Sequence, residues 1–345
     1  MARGVSEEEF GFEDEIVDIL FACQTCGNCS TQCIYPIKDS ILKIIEATRA
    51  EAVNAGVTLP GHQREFGAHL GKEHNPYLEP HSKRWEWLPK DTNLPKKSEM
   101  VYFVGCTSAY RQKILAQDTV EVFKKAGVDF TIMKDEWCCT SPLLRTGQWE
   151  TDYVSAPKIA QHNIEEAKKT GAQKIVTTCS GCFRTWKKDY LEEYNWLLNS
   201  KHDFEVIHTT QLLENMIKNG EVELSHEINM KVTYHDPCHL GRHMWVYDSP
   251  RNVLKAIPGV EIVEMPRTRE NAWCCGSGGG VKSGYGEWSV EVANERIKEA
   301  EKLGVEAIVS ACPFCWRNLD DAINKYNSKL KMYDVIQLVR KAMGV

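Results

Sequence analysis

The sequence predicts an α/β protein, in which a small helical N-terminal domain is followed by two duplicated α/β domains with parallel strands. Two observations carry this prediction. Apolar segments of strand length alternate with helical segments from about residue 98 onwards, a pattern typical of parallel sheets. The pattern then occurs a second time with its cysteines in corresponding places, which indicates a duplication. We therefore expect domains at 1–97, 98–225 and 226–345.

Length, charge and hydropathy exclude several classes of protein. The chain of 345 residues is long enough for two or three compact units, and its 42% hydrophobic content permits buried cores. Its net charge of −6 argues against a nucleic-acid partner, because such partners require basic stripes. The sequence has no apolar run of the roughly 18 residues that a membrane span needs, and its first residues lack the apolar stretch of a secretory signal. We therefore expect a cytoplasmic protein.

Fourteen cysteines dominate the chemistry of the chain. In a reducing compartment, cysteines in such numbers indicate metal ligands or redox groups and not structural disulfides. Buried and inert thiols are the alternative for an isolated cysteine. Here, however, the fourteen fall into three ordered sets, which favours a cofactor role.

The four-cysteine set follows a short amphipathic helix that begins near Glu13. It comprises Cys23, Cys26, Cys29 and Cys33. Its spacing, C-x2-C-x2-C-x3-C, is that of a bacterial ferredoxin site and predicts one cubane [4Fe–4S] cluster. Zinc is the alternative, but zinc usually pairs two C-x2-C units across a longer gap. Ile34 stands where a proline usually follows the fourth cysteine, and no second set of this kind exists, so Cys33 most simply completes the same cluster.

The sequence after this set predicts one helix and then a connector. Ile41, Ile44 and Ile45 lie at helical spacing within residues 40–55. Residues 57–97 have little periodicity and are rich in proline, glycine and histidine, so we interpret them as a solvated connector. Its histidines have no metal-ligand spacing and are not expected to bind metal: His62, His69, His74 and His81.

Two repeats fill the rest of the chain. The first has a strand at 100–105 ending at Cys106, a helix at 110–126, a strand at 130–133, Cys138-Cys139, a helix at 155–169, a strand at 174–178, and Cys179 and Cys182. The second has a strand from 232 to Cys238, a helix ending near 258–259, a strand at 260–265, Cys274-Cys275, a helix at 289–302, a strand at 307–311, and Cys312 and Cys315. Residues 164–184 align without a gap on 297–317, and 211–213 match 337–339. The cysteines follow strand ends, which is where ligands bind in open α/β sheets.

Each repeat thus carries five cysteines. The first five-cysteine set comprises Cys106, Cys138, Cys139, Cys179 and Cys182, and the second comprises Cys238, Cys274, Cys275, Cys312 and Cys315. Four thiolates suffice for zinc or for a cubane, so a fifth indicates a larger or less regular group, or one cysteine that is not a ligand. Adjacent cysteines do not easily form a disulfide with each other. The glycines after Cys275 let the backbone turn so that both thiolates face one cofactor.

The pattern C-x31–35-C-C-x36–39-C-x2-C, present twice, resembles the CCG domains of the B-type and D-type subunits of heterodisulfide reductase. The four-cysteine set and the stretches 74–76 and 87–88 resemble the ferredoxin-type segment of the D-type subunit and of related iron–sulfur oxidoreductases. The motif at 235–242, His-Asp-Pro-Cys-His-Leu-Gly-Arg, is also similar to this family. The resemblance covers almost the whole chain.

This resemblance implies that each five-cysteine set holds a noncubane [4Fe–4S] cluster. In the reductase the two clusters face a cavity between the CCG domains and jointly cleave a disulfide. With one cubane cluster in the four-cysteine set, this arrangement uses all fourteen cysteines. The expected function is the iron–sulfur catalytic subunit of a heterodisulfide reductase-like complex, acting on a small disulfide or thiol substrate. The alternative is an electron-transfer subunit of a larger complex of acyl-CoA, quinone or sulfur-compound metabolism.

The expected partners are other redox subunits. We find no motif for flavin or nicotinamide, so a flavin- or iron–sulfur-containing donor is expected on another chain. A membrane subunit is a further candidate, and it would place this chain peripherally at the membrane. A zinc-bound scaffold is a third interpretation of the cysteines and the least favoured.

One residue departs from the family pattern. The Cys-Cys-Gly sequence is kept at Gly276, but Thr140 follows Cys139. A threonine fits there only if the backbone does not require a positive φ. We therefore expect the first five-cysteine set to differ in geometry from the second.

Several neighbouring residues are candidates for supporting roles. His235, His239 and His243 either donate protons to a departing thiolate or, as we favour, hydrogen-bond around the cluster ligands. Arg184 and Arg317 follow the C-x2-C motifs and either offset the negative charge of a cluster or are ordinary solvated side chains. Trp137 and Trp273 are expected to shield the clusters, and the glycines of 276–280 to allow close backbone packing.

Overall fold

The computed structural model describes residues 2–90 and 92–345, and its N-terminal part is helical. The helices there are α1 (Ala2–Ser6), α2 (Asp14–Phe21), α3 (Asn28–Gln32), α4 (Ile41–Asn54) and α5 (Phe66–Glu73), with 3₁₀ turns at Pro36–Ser40, Gly61–Glu65 and His81–Lys83. Helix α2 buries Val17, Leu20 and Phe21 against α4, as its amphipathic pattern predicts.

The first repeat forms a three-stranded parallel sheet in the order β1-β2-β3. Its elements are β1 (Met100–Tyr102), α6 (Cys106–Tyr110), α7 (Lys113–Lys125), α8 (Ser141–Thr146), α9 (Ala156–Lys169), β2 (Lys174–Thr177), α10 (Ser180–Arg184), a π-helical segment (Thr185–Glu193), α11 (Asn195–Leu198), β3 (Glu205–His208) and α12 (Thr209–Lys218). Val101 pairs with Ile175, and Ile175 with Val206. All three are buried, which is typical of parallel strands.

The second repeat forms a four-stranded parallel sheet in the order β5-β4-β6-β7. Its elements are β4 (Met230–Tyr234), α13 (Asp248–Ala256), β5 (Val260–Ile262), a 3₁₀ turn (Arg269–Asn271), α14 (Val281–Gly284), α15 (Gly286–Glu301), β6 (Ala307–Ser310), α16 (Pro313–Lys325), β7 (Lys331–Asp334) and α17 (Val335–Ala342). The predicted α/β class with parallel strands is therefore confirmed.

Several predicted elements differ from the structure, among them the strand expected at 100–105, which ends at Tyr102. At 130–133 only Thr131 pairs, with Val101, so the strand is reduced to a single bridge. The helix expected at 110–126 is broken into α6 and α7 at Arg111 and Gln112. The strand expected at 260–265 ends at Ile262.

Two strands, β3 and β7, escaped prediction because they are short and only half apolar. Each leads into the last helix of its repeat through the same capping box. His208 and Gln211 form it in the first copy, and Asp334 and Gln337 in the second. This agreement confirms that the repeats correspond through their ends.

The prediction of a solvated connector at 57–97 is wrong. Gln63, Leu70 and Arg84 are fully buried and Trp87 almost so, and the segment packs along the first repeat. Such packing needs tertiary partners that have no periodic signature, because the segment is a series of turns and short helices. Among the described residues, no helix combines the length and the apolar character that crossing a bilayer requires.

A buried arginine joins the N-terminal helices to both repeats. The Arg49 guanidinium donates to the carbonyl oxygens of Leu20 at 2.7 Å and Cys23 at 2.7 Å. It also donates to the carbonyl oxygens of Arg145 in the first repeat at 2.6 Å and of Gly279 in the second at 3.0 Å. Since these bonds satisfy a buried cation with carbonyl groups from every part of the chain, Arg49 fixes how the parts meet.

Candidate functional site

The first five-cysteine set is gathered by loops at the carboxyl ends of β1 and β2. Its thiols lie within hydrogen-bonding reach of one another in the order Cys106, Cys138, Cys139, Cys182 and Cys179. All five are buried. Hydrogen bonds from Cys138 and Cys182 hold the pKa of the Cys139 thiol well below its usual value. Five thiols, each adjacent to the next, therefore form one compact group.

The second five-cysteine set repeats this arrangement at the ends of β4 and β6. Its thiols follow one another in the order Cys238, Cys274, Cys275, Cys315 and Cys312. Hydrogen bonds from Cys274 and Cys315 hold the pKa of the Cys275 thiol well below its usual value. The order matches that of the first set member by member, so the duplication extends to the site.

The two sets meet face to face. The thiols of Cys179 and Cys312 lie within hydrogen-bonding reach of each other, and the Ser180 hydroxyl donates to the Ala311 carbonyl at 2.8 Å. A cavity of about 600 Å³ opens over this junction and is lined by cysteines of both sets. One small molecule in it would contact both groups of thiols.

Cations and residues of the segment 57–97 complete the cavity wall. Arg111, Lys282 and Arg317 line it, with Tyr77 between the two arginines. Arg111 is paired with Glu79 at 2.6 Å and Lys282 with Asp321 at 2.6 Å. Arg317 forms no ion pair with any residue of 2–90 or 92–345. It therefore offers its charge to the cavity.

The four-cysteine set lies against the second five-cysteine set. A hydrogen bond with the Cys274 thiol, helped by the nearby Arg242 guanidinium, lowers the pKa of Cys26 to about 6. Arg242 also donates to the Cys26 carbonyl at 2.8 Å. Cys29 is exposed, whereas the cysteines of the repeats are buried or, in the case of Cys238, half-buried. The described arrangement is therefore a line of thiols from the surface to the cavity.

The expectation that Thr140 avoids a positive φ is wrong. Thr140 has φ +69°, in the same left-handed region as Gly276 at φ +84°. Threonine tolerates this conformation at a cost of about 1–2 kcal/mol, and its hydroxyl donates to the Cys139 carbonyl, which also accepts a hydrogen bond from Tyr190 at 3.1 Å. The turn after the vicinal pair is therefore alike in both copies, and the expected difference in geometry is not found there.

His235 and His243 are buried and His239 is half-buried, and the three histidines lie in different places. A ring nitrogen of His235 lies within 4.8 Å of the Cys275 and Cys315 sulfur atoms. His239 lines the cavity, and its ring centroid is 4.7 Å from that of His243. Burial, together with the charge of Arg184, holds the pKa values of His239 and His243 well below the usual value. Both rings are therefore neutral at physiological pH.

Arg184 is not an ordinary solvated side chain. It is 4% exposed, and its guanidinium lies 3.4 Å from the Asp189 carboxylate. Arg145, between Asp189 and Glu46, belongs to the same buried network. Arg317, by contrast, is half-buried at the cavity. The two equivalent arginines thus lie in different environments, Arg184 in a buried ion-pair network and Arg317 at the cavity.

The tryptophans and the glycine loop pack close to the cysteines. Trp137 is stacked between His74 and His162, with ring centroids at 3.6 and 3.7 Å. Trp273, also half-buried, lies under the Arg267 guanidinium at 4.3 Å. A Cβ atom at Gly278 would stand 2.6 Å from the Gln24 carbonyl oxygen. The loop therefore needs glycine because the backbone of the four-cysteine set packs directly on it.

Sequence reasoning missed much of the cavity wall. Tyr77, Arg111 and Lys282 lie far apart in the chain and belong to no motif. Glu136 was also missed, although it is fully buried and accepts hydrogen bonds from the Val104 and Gly105 amides at 2.9 Å each. A charged residue directly before a Trp-Cys-Cys motif was the one available signal for it.

Comparison with known proteins identifies the family of this chain. The cysteine-rich domain family CCG matches residues 100–187 and 232–320. The D-type subunit of dihydromethanophenazine:CoB–CoM heterodisulfide reductase from Methanosarcina barkeri is 42% identical over 333 residues, covering 96% of this chain and 80% of that protein. EtfAB:quinone oxidoreductase of Syntrophomonas wolfei is 29% identical over 349 residues, covering 94% of this chain and 47% of that protein.

A solved structure shares the fold. A crystal structure of a hypothetical protein from Helicobacter pylori superimposes with a TM-score of 0.60 at 11% identity. The match covers 100% of this chain and 66% of the other. At this identity the likeness concerns the fold alone.

Proposed function

The chain belongs to the CCG cysteine-rich domain family, as a relative of the D-type subunit of heterodisulfide reductase, and from this premise we propose that it is the iron–sulfur catalytic subunit of a heterodisulfide reductase-like complex. Its substrate in this proposal is a small disulfide, which takes up two electrons and two protons. The S–S bond breaks and two thiols leave. The domains proposed to carry these roles are 1–97, 98–225 and 226–345.

The donor atoms fit iron–sulfur clusters. We propose that the four-cysteine set holds one cubane [4Fe–4S] cluster, and that each five-cysteine set holds one noncubane [4Fe–4S] cluster. Thiolates are the ligands that such clusters require, and in each five-cysteine set every thiol lies within hydrogen-bonding reach of the next. When bound, the clusters supply one-electron transfer in the interior of the protein. Arg242 and Arg84 lie beside the thiols and offset part of their negative charge.

The cavity between the two sets is the observation that carries the proposal. A pure relay needs only short distances between cofactors, whereas cleavage of a disulfide needs an open space that reaches both thiolate groups. The cavity of about 600 Å³ reaches cysteines of both sets, and the two clusters and the substrate would share it. Arg317, without an ion-pair partner among the described residues, gives it a cation that fits a substrate with an anionic group. His239 lines the same space and can hydrogen-bond a sulfur atom there.

Electrons are proposed to enter from another subunit through the four-cysteine set. Cys29 of this set is exposed, and Cys26 lies against Cys274 of the second five-cysteine set. A partner with a flavin or an iron–sulfur cluster could therefore approach the exposed side. A membrane-bound partner is compatible with this geometry, and a nucleic-acid partner is not proposed.

Electron transfer without substrate chemistry is the second candidate. The pairs Cys26–Cys274 and Cys312–Cys179 form a continuous line of thiol contacts through all three sets. The Syntrophomonas relative is named as a quinone oxidoreductase and is more than twice as long as the matched part. In this candidate the substrate is reduced on another chain or domain.

Anaerobic purification with iron and sulfide counts, followed by EPR under added thiol, tests the proposal. We expect roughly twelve iron atoms per chain, four for each of three clusters, and a signal that appears only with thiol. Iron without a thiol-dependent signal, and without reduction of any small disulfide by a chemical donor, would favour the relay. Zinc in place of iron would overturn both candidates.

Replacing Arg317 with glutamine tests the anionic substrate. We expect the KM for a carboxylated or phosphorylated disulfide to rise about 10- to 100-fold, because a hydrogen bond to a charged group contributes about 1.5–3 kcal/mol. The KM for an uncharged disulfide should stay nearly constant in steady-state assays. The exposed Arg3, changed to glutamine, is the matched control. An equal rise for both substrates would contradict a charge-recognition role.

A further inference from the structure

The second five-cysteine set has an imidazole donor, His235, at a strand end where the first set has none among residues 2–90 and 92–345, whereas each set also has an arginine beside its thiols, Arg84 at the first and Arg242 at the second. His235 is 1% exposed, and one of its ring nitrogens lies within 4.8 Å of the sulfur atoms of Cys275 and Cys315. The ring belongs to the end of β4, where the His235 amide donates to Val309 at 2.8 Å. The imidazole is therefore held in place by the sheet itself.

Arg296 determines which nitrogen of His235 carries the proton. The Arg296 Nε–H group donates to His235 Nδ1 at 3.3 Å. An arginine in a protein is always protonated and has no acceptor. Nδ1 must therefore be the acceptor, so the ring proton resides on Nε2. His235 forms a side-chain hydrogen bond with the Cys275 thiol, and the N–H group at Nε2 is the donor available for it.

Other residues take the places of this pair in the first copy. The Phe103 amide donates to Val176 at 2.9 Å, and Val176 corresponds to Val309, so Phe103 occupies the place of His235. The place of Arg296 is taken by Asn163, which bonds the Cys138 carbonyl at 2.8 Å. His235 and Arg296 are thus both replaced in the first copy. The arginine is therefore present together with the histidine and is not required by the fold of the repeat.

We propose that the His235–Arg296 pair makes the second five-cysteine set the more easily reduced of the two, a proposal that rests on the proposed iron–sulfur function. Hydrogen bonds to cluster sulfur atoms raise the reduction potential, because they stabilise the added negative charge. At the first set the phenyl ring of Phe103 supplies no such donor. In this proposal His235 stabilises negative charge on the second set by a hydrogen bond, and it does not act as a ligand.

The location of the His235–Arg296 pair relates the difference in reduction potential to the path of the electrons. The four-cysteine set contacts the second set through Cys26 and Cys274, and the second set contacts the first through Cys312 and Cys179. The set that is easier to reduce is thus also the one next to the electron entry. An electron is retained there until a second arrives, which suits a substrate that needs two.

The test is an EPR-monitored redox titration of the full chain in its purified complex. Besides the signal of the cubane cluster, the two noncubane clusters are expected to give signals with separate midpoint potentials in the unchanged protein. His235→Phe, which installs the residue of the first copy, should shift the higher potential to a more negative value and leave the lower one unchanged. His235→Gln, which keeps an N–H donor, should restore part of the shift. Arg296→Met, which frees the tautomer, should give a smaller shift in the same direction.

The iron content of each variant separates the possible outcomes. An unchanged higher potential in His235→Phe at full iron content overturns the inference. If this variant loses iron, Arg296→Met decides instead, and an unchanged potential there also overturns it. Absence of iron–sulfur signals from the unchanged protein would be a failure of the proposed function, and the two failures are therefore distinguishable.

Discussion

Replacing Gly276 with alanine is expected to destabilise the protein and to empty the second five-cysteine set of iron. A Cβ atom at this position would lie far inside van der Waals contact with the Ser289 carbonyl oxygen, and 3.0 Å from Val292 Cβ. Overpacking of this kind costs about 1–3 kcal/mol or more, and a φ of +84° adds about 1–2 kcal/mol for any residue with a side chain. The turn would have to move, and Cys275 with it. Chemical denaturation and iron counts measure both effects.

Two glycine-related variants serve as matched controls for this result. Thr140→Gly changes the equivalent turn in the first copy, where it relieves the strain of φ +69° but removes one hydrogen bond. We expect its free energy of unfolding to change by less than about 1 kcal/mol. Gly286→Ala adds a Cβ that meets no atom within 4 Å and should be neutral or slightly stabilising. A Gly276→Ala protein with unchanged stability and iron content would contradict the packing argument.

Replacing Arg84 with methionine is expected to lower the free energy of unfolding by about 3–5 kcal/mol, because the change leaves a buried carboxylate without its partner. Arg84 and Glu136 form an ion pair with both side chains 0% exposed. Arg84 also lies 3.6 Å from the Cys106 sulfur. Glu136 holds the Val104 and Gly105 amides that position Cys106. Iron in the first set should therefore decrease as well, as iron counts will show.

A second substitution separates charge from packing. Glu136→Gln keeps an acceptor for the two amides but removes the charge. Combined with Arg84→Met it should recover a large part of the lost stability, so that a double-mutant cycle gives a coupling energy above about 1 kcal/mol. The exposed pair Lys113–Glu86 is the control, and Lys113→Met should cost less than about 1 kcal/mol. Full additivity of the two buried changes would refute the ion-pair argument.

The two copies thus stabilise equivalent sites by different means. The first uses a buried ion pair at Arg84 and Glu136, and the second uses the hydrogen-bonded His235 and Arg296. The sequence difference that drew attention first, Thr140 against Gly276, leaves the turn unchanged. The difference with chemical consequences lies at the strand ends, where Phe103 stands against His235.

The sequence by itself determined the fold class, the duplication and the grouping of the cysteines. These features are local, because strand and helix periods, C-x2-C spacings and a repeat at a constant offset are visible within short windows. The parallel sheets follow from the alternation of strands and helices along the chain. The cysteines lie at the edges of these sheets that are formed by the carboxyl ends of β1, β2, β4 and β6. The prediction of a strand at 130–133 is wrong because a strand at a sheet edge depends on distant pairing partners, which the local pattern does not contain.

Only the tertiary structure decided how the two cysteine sets face each other, which of them the four-cysteine set contacts, and what lines the cavity. Cys179 meets its counterpart Cys312, and Cys26 meets Cys274, although no local pattern shows that these residues are in contact. Residues 57–97 lack periodicity, yet they bury Trp87 and supply Tyr77 to the cavity, because irregular segments are held by contacts from several directions. A periodic sequence pattern predicts that one face of a helix or strand packs on one neighbour. A site between the two repeats is formed by loops and surfaces from several parts of the chain, and their sequences have no common period.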